Sequence, residues 1–458
     1  MNWFKQVFDE TAQELTPVET LQRFRASIEP DWIQQALQLT GAATVRRRRL
    51  PAEQVIWLVL GMALMRDLPM DQVVAKLDLA LPGSGTRLAK SAIPPARQRL
   101  GSEPMKKLFE LTARQWALQS AAKYAWRNLS VFAADGTTFR LPDSEDNRTT
   151  FGLADGGNGP SSYPLARAVC IMATRSHLML AADIGEYKKG EHALLDDCIA
   201  AVPDNSLLIL DKFFTATKYK IGISQRGVNR HWLIRVKKGA RWRVVEDLGT
   251  EGAIVELVAS AKARKLDPSL PKQFKARALC YQFPGSETEN WLLTSLLDSQ
   301  MYPAKEIAAL YHERWDIELA YDELKTDLLQ REETLRSRSS QGVYQEFWGT
   351  LIAYNLVRFE MQGVAEEVKL PPTRISFVMS LRTIRYNFLA MSFNAPGAIP
   401  KRLRRMREEL KEFILPPRRS KRRYPRAVKI HRSKYPRKPR PTAIESPKET
   451  SDAAITGN

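Results

Sequence analysis

Two aspartates in this sequence each close a short apolar run, VFAAD ending at Asp135 and LLILD ending at Asp211. Such runs read as buried strands, and the end of a buried strand is where a sheet presents polar groups to a cleft. A third carboxylate, Glu318, follows Asp211 by 107 residues and sits in a helical pattern. Two carboxylates at strand ends and one on a helix supply oxygen ligands for hard divalent cations. Two such ions about 3.5–4 Å apart stabilise both the attacking and the leaving oxygen of a phosphoryl transfer. Taken singly, each aspartate has a plainer reading, because Asp after a strand is common as a turn or capping residue. Asp143, Asp146, Asp196 and Asp197 compete for the same role, and spacing excludes none of them.

The stretch around Glu318 is more informative. Pro303 opens a pattern that reads as one long helix to about Leu329. At about 100° per residue, with Tyr311 at zero, Arg314 falls at about 300°, Glu318 at about 340° and Lys325 at about 320°. Leu310, Ile317, Tyr321, Leu324 and Leu328 form an adjoining apolar stripe that packs on a sheet. The polar four therefore lie at the margin of the buried face. A glutamate flanked by Arg and Lys suits metal binding beside phosphate contacts. An amphipathic helix with ordinary ion pairs on its wet face fits the same angles.

The elements that position these residues follow from the flanking pattern. Residues 1–125 read as helical. Thr16-Pro17-Val18-Glu19 is a capping-box helix start, Pro51 opens a helix through the apolar run to Arg66, and another runs from Pro104 to about Lys123. The loop around Pro82–Gly85 lacks a following Gly-Lys, which argues against a phosphate loop. Beyond Asn128 the order becomes strand (Leu129–Ala134), a glycine-rich turn at Gly156–Gly159, and paired strands at Arg167–Thr174 and His177–Ile184. A helix (Glu191–Val202), a strand (Leu207–Leu210), a helix (Thr215–Arg226) and a strand (His231–Val236) follow. This order implies an α/β fold, a mixed sheet flanked by helices. Residues 239–289 read as a β-rich insertion with strands at Trp242–Leu248, Ala253–Ser260 and Phe274–Phe283. Trp291–Leu296 returns to the core, and helices follow at Gln345–Gln362 and Thr373–Met391.

Composition bounds the class. The chain has 458 residues, 44% of them hydrophobic, enough for several domains with a large core. The longest apolar run, Val55–Met65, is shorter than the about 20 residues of a membrane-spanning helix. The N-terminus carries no secretory pattern. Cys170, Cys198 and Cys280 lack metal or disulfide spacing, which fits a reducing cytoplasm. The net charge is +19, and residues 401–440 hold 18 Lys or Arg against three Glu, leaving the rest of the chain near neutrality. That block reads as a polyanion-binding tail, since each phosphate contact releases counterions. Beyond Pro416 it has no hydrophobic period and reads as disordered. A solvated, solubilising tail is the plain alternative.

Tyr311-x2-Arg314-x3-Glu318-x6-Lys325 reproduces the Y-R-E-K signature of insertion-sequence transposases of the "four" group, and the chain resembles that family beyond this helix. VFAADGTTFRLPD resembles the family's first-aspartate strand and LLILDKFF its second. TPVETLQRF, VRRRRLPAEQVIWLVLGMAL and ARQRLGSEPMKKLF resemble its N-terminal domain, and WGTLIAYNLVR follows the signature helix as in relatives. The resemblance spans about residues 16 to 440 and implies a ribonuclease H-like catalytic domain, interrupted by a β-rich insertion before the glutamate helix. Four regions result: a helical, end-DNA-binding domain (1–125), the catalytic domain (126–365, with the insertion at 239–289), a helical region (366–415) and a basic Pro-rich tail (416–458). The resemblance also implies the roles. Asp135, Asp211 and Glu318 match the catalytic triad that holds two Mg²⁺, with Mn²⁺ as a substitute. Tyr311, Arg314 and Lys325 match residues that grip phosphates near the cleaved end. Trp315 follows Arg314, as an aromatic does in some relatives, where it can stack on an extruded base. Trp232, Trp242 and Trp291 are equally available for stacking, and any single Trp also reads as core.

The resemblance implies a DNA transposase, nucleoid-associated in the cytoplasm, that binds terminal inverted repeats and joins them to target DNA. Cleavage passes through successive in-line substitutions at phosphorus, with a hairpin as one route, and a homodimer holds both ends in a paired-end complex. Two alternatives stand beside it: a non-transposing nuclease of the same fold, and a binding protein that occupies ends without cutting. Short inverted repeats bounded by target duplications around the gene favour the transposase.

Overall fold

The structure is a computed structural model, and it describes residues 30–43, 50–77, 79, 88–156, 159–236, 240–282, 289–330, 334–391 and 399–417. The helix start at Thr16–Glu19, the Arg46–Arg49 run, the Pro82–Gly85 loop and the tail beyond residue 417 lie outside them. The described N-terminal part is helical, as its pattern predicts: α1 (Pro30–Leu39), α2 (Ala52–Leu64), α3 (Met70–Lys76), α4 (Ile93–Leu100) and α5 (Glu103–Lys123). Every residue of α2 from Val55 to Leu64 is buried, so the longest apolar run is a core helix and not a surface stripe. Among the described residues no helix is long and apolar enough to cross a membrane.

A ten-stranded mixed sheet follows. Its first half comprises β1 (Ser130–Arg140), β2 (Leu153–Gly156), β3 (Gly159–Ala173), β4 (Met179–Glu186), β5 (Ser206–Leu210) and β6 (Arg230–Arg235). β3 lies antiparallel to β1 and to β4, while β1, β5 and β6 run parallel. The parallel steps need crossovers, which α7 (Glu191–Cys198) and α8 (Thr217–Gln225) supply; a short α6 (Glu145–Phe151) lies between β1 and β2. This is the expected ribonuclease H-like arrangement. The insertion adds β7 (Arg243–Asp247), β8 (Ala253–Val258), α9 (Ala261–Leu266) and β9 (Gln273–Gln282), and β10 (Glu289–Thr294) joins them to β6. The insertion strands thus continue the same sheet.

Two sequence expectations need correction. The first strand does not stop at Asp135. β1 runs five residues further, because Gly136–Arg140 stay paired with β3 after the neighbour on the other side, β5, has ended. The second is the helix from Pro303 to Leu329, which is not continuous. α10 (Ala304–Glu313) gives way to tight i→i+3 bonds at Arg314 and Trp315, α11 (Asp316–Asp322) resumes, and Glu323–Leu328 winds as a π-helix. No Pro or Gly marks that break.

A 28-residue helix, α12 (Ser340–Glu367), ties the parts together. It packs on α2, where Gly349 allows close approach: a Cβ there would stand 2.6 Å from Val59 Cγ1. Asn355 of α12 bonds both backbone groups of Met179 at 2.8 Å, covering the edge of β4. Glu346, wholly buried, accepts from the Arg336 and Ser337 amides at 2.9 Å and from the Arg66 guanidinium. Arg66 also reaches the Leu329 and Thr334 carbonyls, at 3.2 and 2.8 Å. The helical N-terminal region is thereby latched to the chain just after the signature helix. Two later helices, α13 (Phe377–Met391) and α14 (Ile399–Lys411), follow.

Candidate active site

The register of the parallel strands places the two aspartates side by side. Ala134 pairs with Leu210, and Asp135 and Asp211 are the next residue on each chain. Burial changes at this point too: Ser130–Ala134 are buried, and Asp135–Thr138 are half-buried. The Asp135 carboxylate accepts from the Gly136 amide at 2.8 Å, and its carbonyl accepts from the Tyr321 hydroxyl at 2.7 Å. Asp211 accepts from the Phe213 amide at 2.6 Å and so caps the tight turn that leaves β5. It therefore fills the plainer capping role as well as its place beside Asp135.

The broken signature helix brings in the third carboxylate. Arg314 sits at the junction between α10 and α11, nearly buried. Its guanidinium spans Asp135 Oδ2 at 3.4 Å and Glu318 Oε1 at 3.1 Å. Burial is the largest influence on Asp135 and pushes its carboxyl up to about 6, against the Gly136 amide and Arg314, while Asp211 and Glu318 add repulsion in the same direction as burial. Three carboxylates far apart in sequence thus act on one another where β1 runs on past the end of β5.

The remaining signature residues divide. Tyr311 is buried against Tyr281, ring centroids 6.1 Å apart, instead of lying at the helix margin, and burial pushes its hydroxyl up to about 12. Lys325, on the π-helical stretch, lies over Phe139 of β1 with its ammonium 5.4 Å from the ring centroid. Trp315 is 49% exposed next to Arg314. Of the other tryptophans, Trp232 is core, while Trp242 of the insertion and Trp291 of β10 pair at 5.5 Å, with Trp291 partly exposed.

The competing aspartates are engaged elsewhere. Asp143 pairs with Arg148, Asp146 receives the Ser340 amide at 2.7 Å, Asp196 pairs with Lys218, and Asp197 pairs with Lys189 at 2.8 Å. Pattern reading did not anticipate the support beneath the signature helix. Glu323, at the start of the π-helical stretch, pairs with the buried Arg358 of α12 and accepts from Tyr354 at 2.9 Å, and Arg358 contacts buried His177 at 2.8 Å. The available signal was WGTLIAYNLVR, an eleven-residue run whose one charge, Arg358, needs a partner if the run is buried.

The donor chemistry suits hard divalent cations: an all-oxygen set in which one member, Asp135, is desolvated and repelled by the other two. Among the described residues no group of three or more His, Cys, Asp or Glu side chains is already arranged around one ion. The positive charge between Asp135 and Glu318 is the Arg314 guanidinium.

Comparison with known proteins gives consistent matches. Residues 18–110 match the family described as "Insertion element 4 transposase N-terminal", and residues 126–356 match "Transposase DDE domain". Over 418 residues the chain is 37% identical to the transposase InsG for insertion sequence element IS4 of Escherichia coli (strain K12), spanning 90% of this chain and 93% of that protein. It is 35% identical over 243 residues to the putative transposase InsZ of the same organism, spanning 52% of this chain and 80% of that one. The solved piggyBac transposase synaptic complex with hairpin DNA aligns with a TM-score of 0.41 and 11% identity, over 88% of this chain and 86% of that one.

Proposed function

The chain belongs to the insertion-sequence-4 family of DDE transposases, and from that membership we propose that Asp135, Asp211 and Glu318 carry its DNA cleavage and strand transfer. The observation that supports this most is the convergence of the three: Asp135 on β1 beside Asp211, which follows the end of β5, and the Arg314 guanidinium joining Asp135 to Glu318. The three carboxylates would hold two Mg²⁺ ions, or Mn²⁺ in their place, which supply Lewis acidity to the attacking and leaving oxygens.

The chain's own groups explain the rest of the reaction. Arg314, which spans Asp135 and Glu318, would be free to grip a phosphate when those carboxylates hold cations instead, and a guanidinium fork fits phosphate oxygens in bidentate fashion. Lys325, held over Phe139 of β1, contributes a second positive charge. Tyr311 is a neutral hydroxyl donor. Exposed Trp315 offers a face on which an extruded base stacks.

Water attacks the phosphodiester at the element's terminal inverted repeat and frees a 3′ hydroxyl. That hydroxyl attacks the opposite strand to close a hairpin, a second water opens it, and the 3′ ends attack target DNA. Every step is a substitution at phosphorus, so one site serves all of them. The helical domain (1–125) and the basic tail (416–458) contact DNA, and a homodimer holds both ends in the cytoplasmic nucleoid. The test is Mg²⁺-dependent excision of a marker flanked by the gene's own borders. Excision by wild type but not by Asp135→Ala supports the reading, and equal excision by both removes Asp135 from the site.

A further inference from the structure

A fourth carboxylate, that of Glu191, packs against β1 one residue beyond Asp135. Successive side chains of a strand point to opposite faces, so the position after Asp135 faces away from the signature helix. That position is Gly136, and the space its missing side chain leaves is filled. A Cβ there would stand 2.4 Å from Glu191 Cδ and 2.6 Å from Glu191 Oε1. The Glu191 carboxyl therefore rests on the backbone of β1, one residue from Asp135.

Its neighbours hold it there. Glu191 is the first residue of α7. His192, next to it, stacks on Phe213 at 4.7 Å, and its backbone carbonyl accepts from the Tyr219 hydroxyl at 2.7 Å. Phe213 belongs to the turn that Asp211 caps. The first turn of α7 is thus fixed against the residues that follow Asp211. Among the described residues Glu191 has no ion-pair partner. Burial raises its proton affinity, Arg167 lowers it, and Asp211 raises it further.

We propose that Glu191 is a fourth oxygen donor to the cations of this site, entering from the face of β1 opposite Glu318. The proposal rests on the metal-binding reading of Asp135, Asp211 and Glu318. A glutamate at a helix start also serves the helix dipole, but that role is met by a carboxylate pointing into solvent and has no need of the space at Gly136.

The test is Mn²⁺ binding by the full-length protein, read by titration calorimetry or by the resonance signal of free Mn²⁺, for wild type, Glu191→Gln and Asp135→Asn. Unfolding midpoints in chelator are measured alongside. Glu191→Gln is expected to bind Mn²⁺ at least about 10-fold more weakly, since losing even a group that only supports a metal ligand typically costs that much. Its midpoint in chelator should equal or exceed that of wild type, because one of two mutually repelling carboxylates is gone. Wild-type Mn²⁺ affinity in Glu191→Gln, together with weakened affinity in Asp135→Asn, overturns the proposal and leaves the three-carboxylate site standing. Wild-type affinity in both variants overturns the metal reading itself. If Glu191→Gln fails to fold, Glu191→Asp keeps the charge and retracts it by one methylene: weaker binding supports the proposal, and wild-type binding refutes it.

Discussion

Replacing Glu323 with Gln should loosen the signature helix from beneath, and the structure sets the size of the effect. Burial alone would push the Glu323 carboxyl up, but Arg358 and His177 outweigh it and hold the group at about 2, against an ordinary 4.5. At about 1.4 kcal/mol per unit, that difference amounts to about 3 kcal/mol of stability. Removing one partner of a buried pair costs about 3–5 kcal/mol, because the other charge is stranded, and Arg358 is here almost wholly buried. The Gln carbonyl still accepts a bond from Arg358, so Glu323→Gln is expected to lose about 2–3 kcal/mol at pH 7. The sign of the pH dependence follows from the depressed value. The contribution is complete above the unfolded-state value of about 4.5 and disappears as pH falls towards about 2. Urea unfolding of both proteins across pH should show a constant gap above about pH 5 that closes at lower pH. Excision should fall as well, since Lys325 stands on the π-helical stretch that Glu323 begins. An unchanged midpoint at pH 7, or a gap indifferent to pH, would refute the assignment of Glu323 and Arg358 as the clamp.

Three further outcomes are expected. Asp211→Asn keeps a side-chain oxygen for the Phe213 amide, so it should unfold within about 0.5 kcal/mol of wild type while losing cleavage, whereas Asp211→Ala should also lose about 1 kcal/mol of capping; urea midpoints and a strand-cleavage gel separate the two effects. Trp315→Ala removes an exposed side chain, so stability should stay within about 0.5 kcal/mol while end cleavage drops; a fully active variant would end its proposed stacking role. Removing residues 418–458 should flatten the dependence of log affinity on log salt by about 0.9 for each phosphate that the tail neutralises, and an unchanged slope would make the tail a solubilising appendage.

How far the sequence could be read depended on whether local pattern or tertiary pairing decides each feature. The core strands and the long apolar helix were legible because uninterrupted apolar runs of those lengths have few places to go but the interior. The end of β1 was not, since Gly136–Arg140 are less apolar and stay in the sheet only because β3 continues beside them. The break at Arg314 and Trp315 was equally hidden. No helix-breaking residue marks it, and Arg314, which stands at the break, reaches Asp135 on one side and Glu318 on the other. An unbroken wheel therefore put Tyr311 at the margin, whereas it is buried against Tyr281 of the insertion. The two aspartates and Glu318 are singled out by a specific signature in chain order, and the structure brings them together. Glu191 was not, because the feature that accommodates it is the absence of a side chain at Gly136.

If Glu318 serves chemistry and not DNA binding, two assays on one variant separate the roles most directly. Folded Glu318→Ala is expected to shift terminal-repeat DNA in a gel as wild type does, yet to cut none of it in Mg²⁺. Retained cleavage, or loss of end binding with the fold intact, would contradict the account.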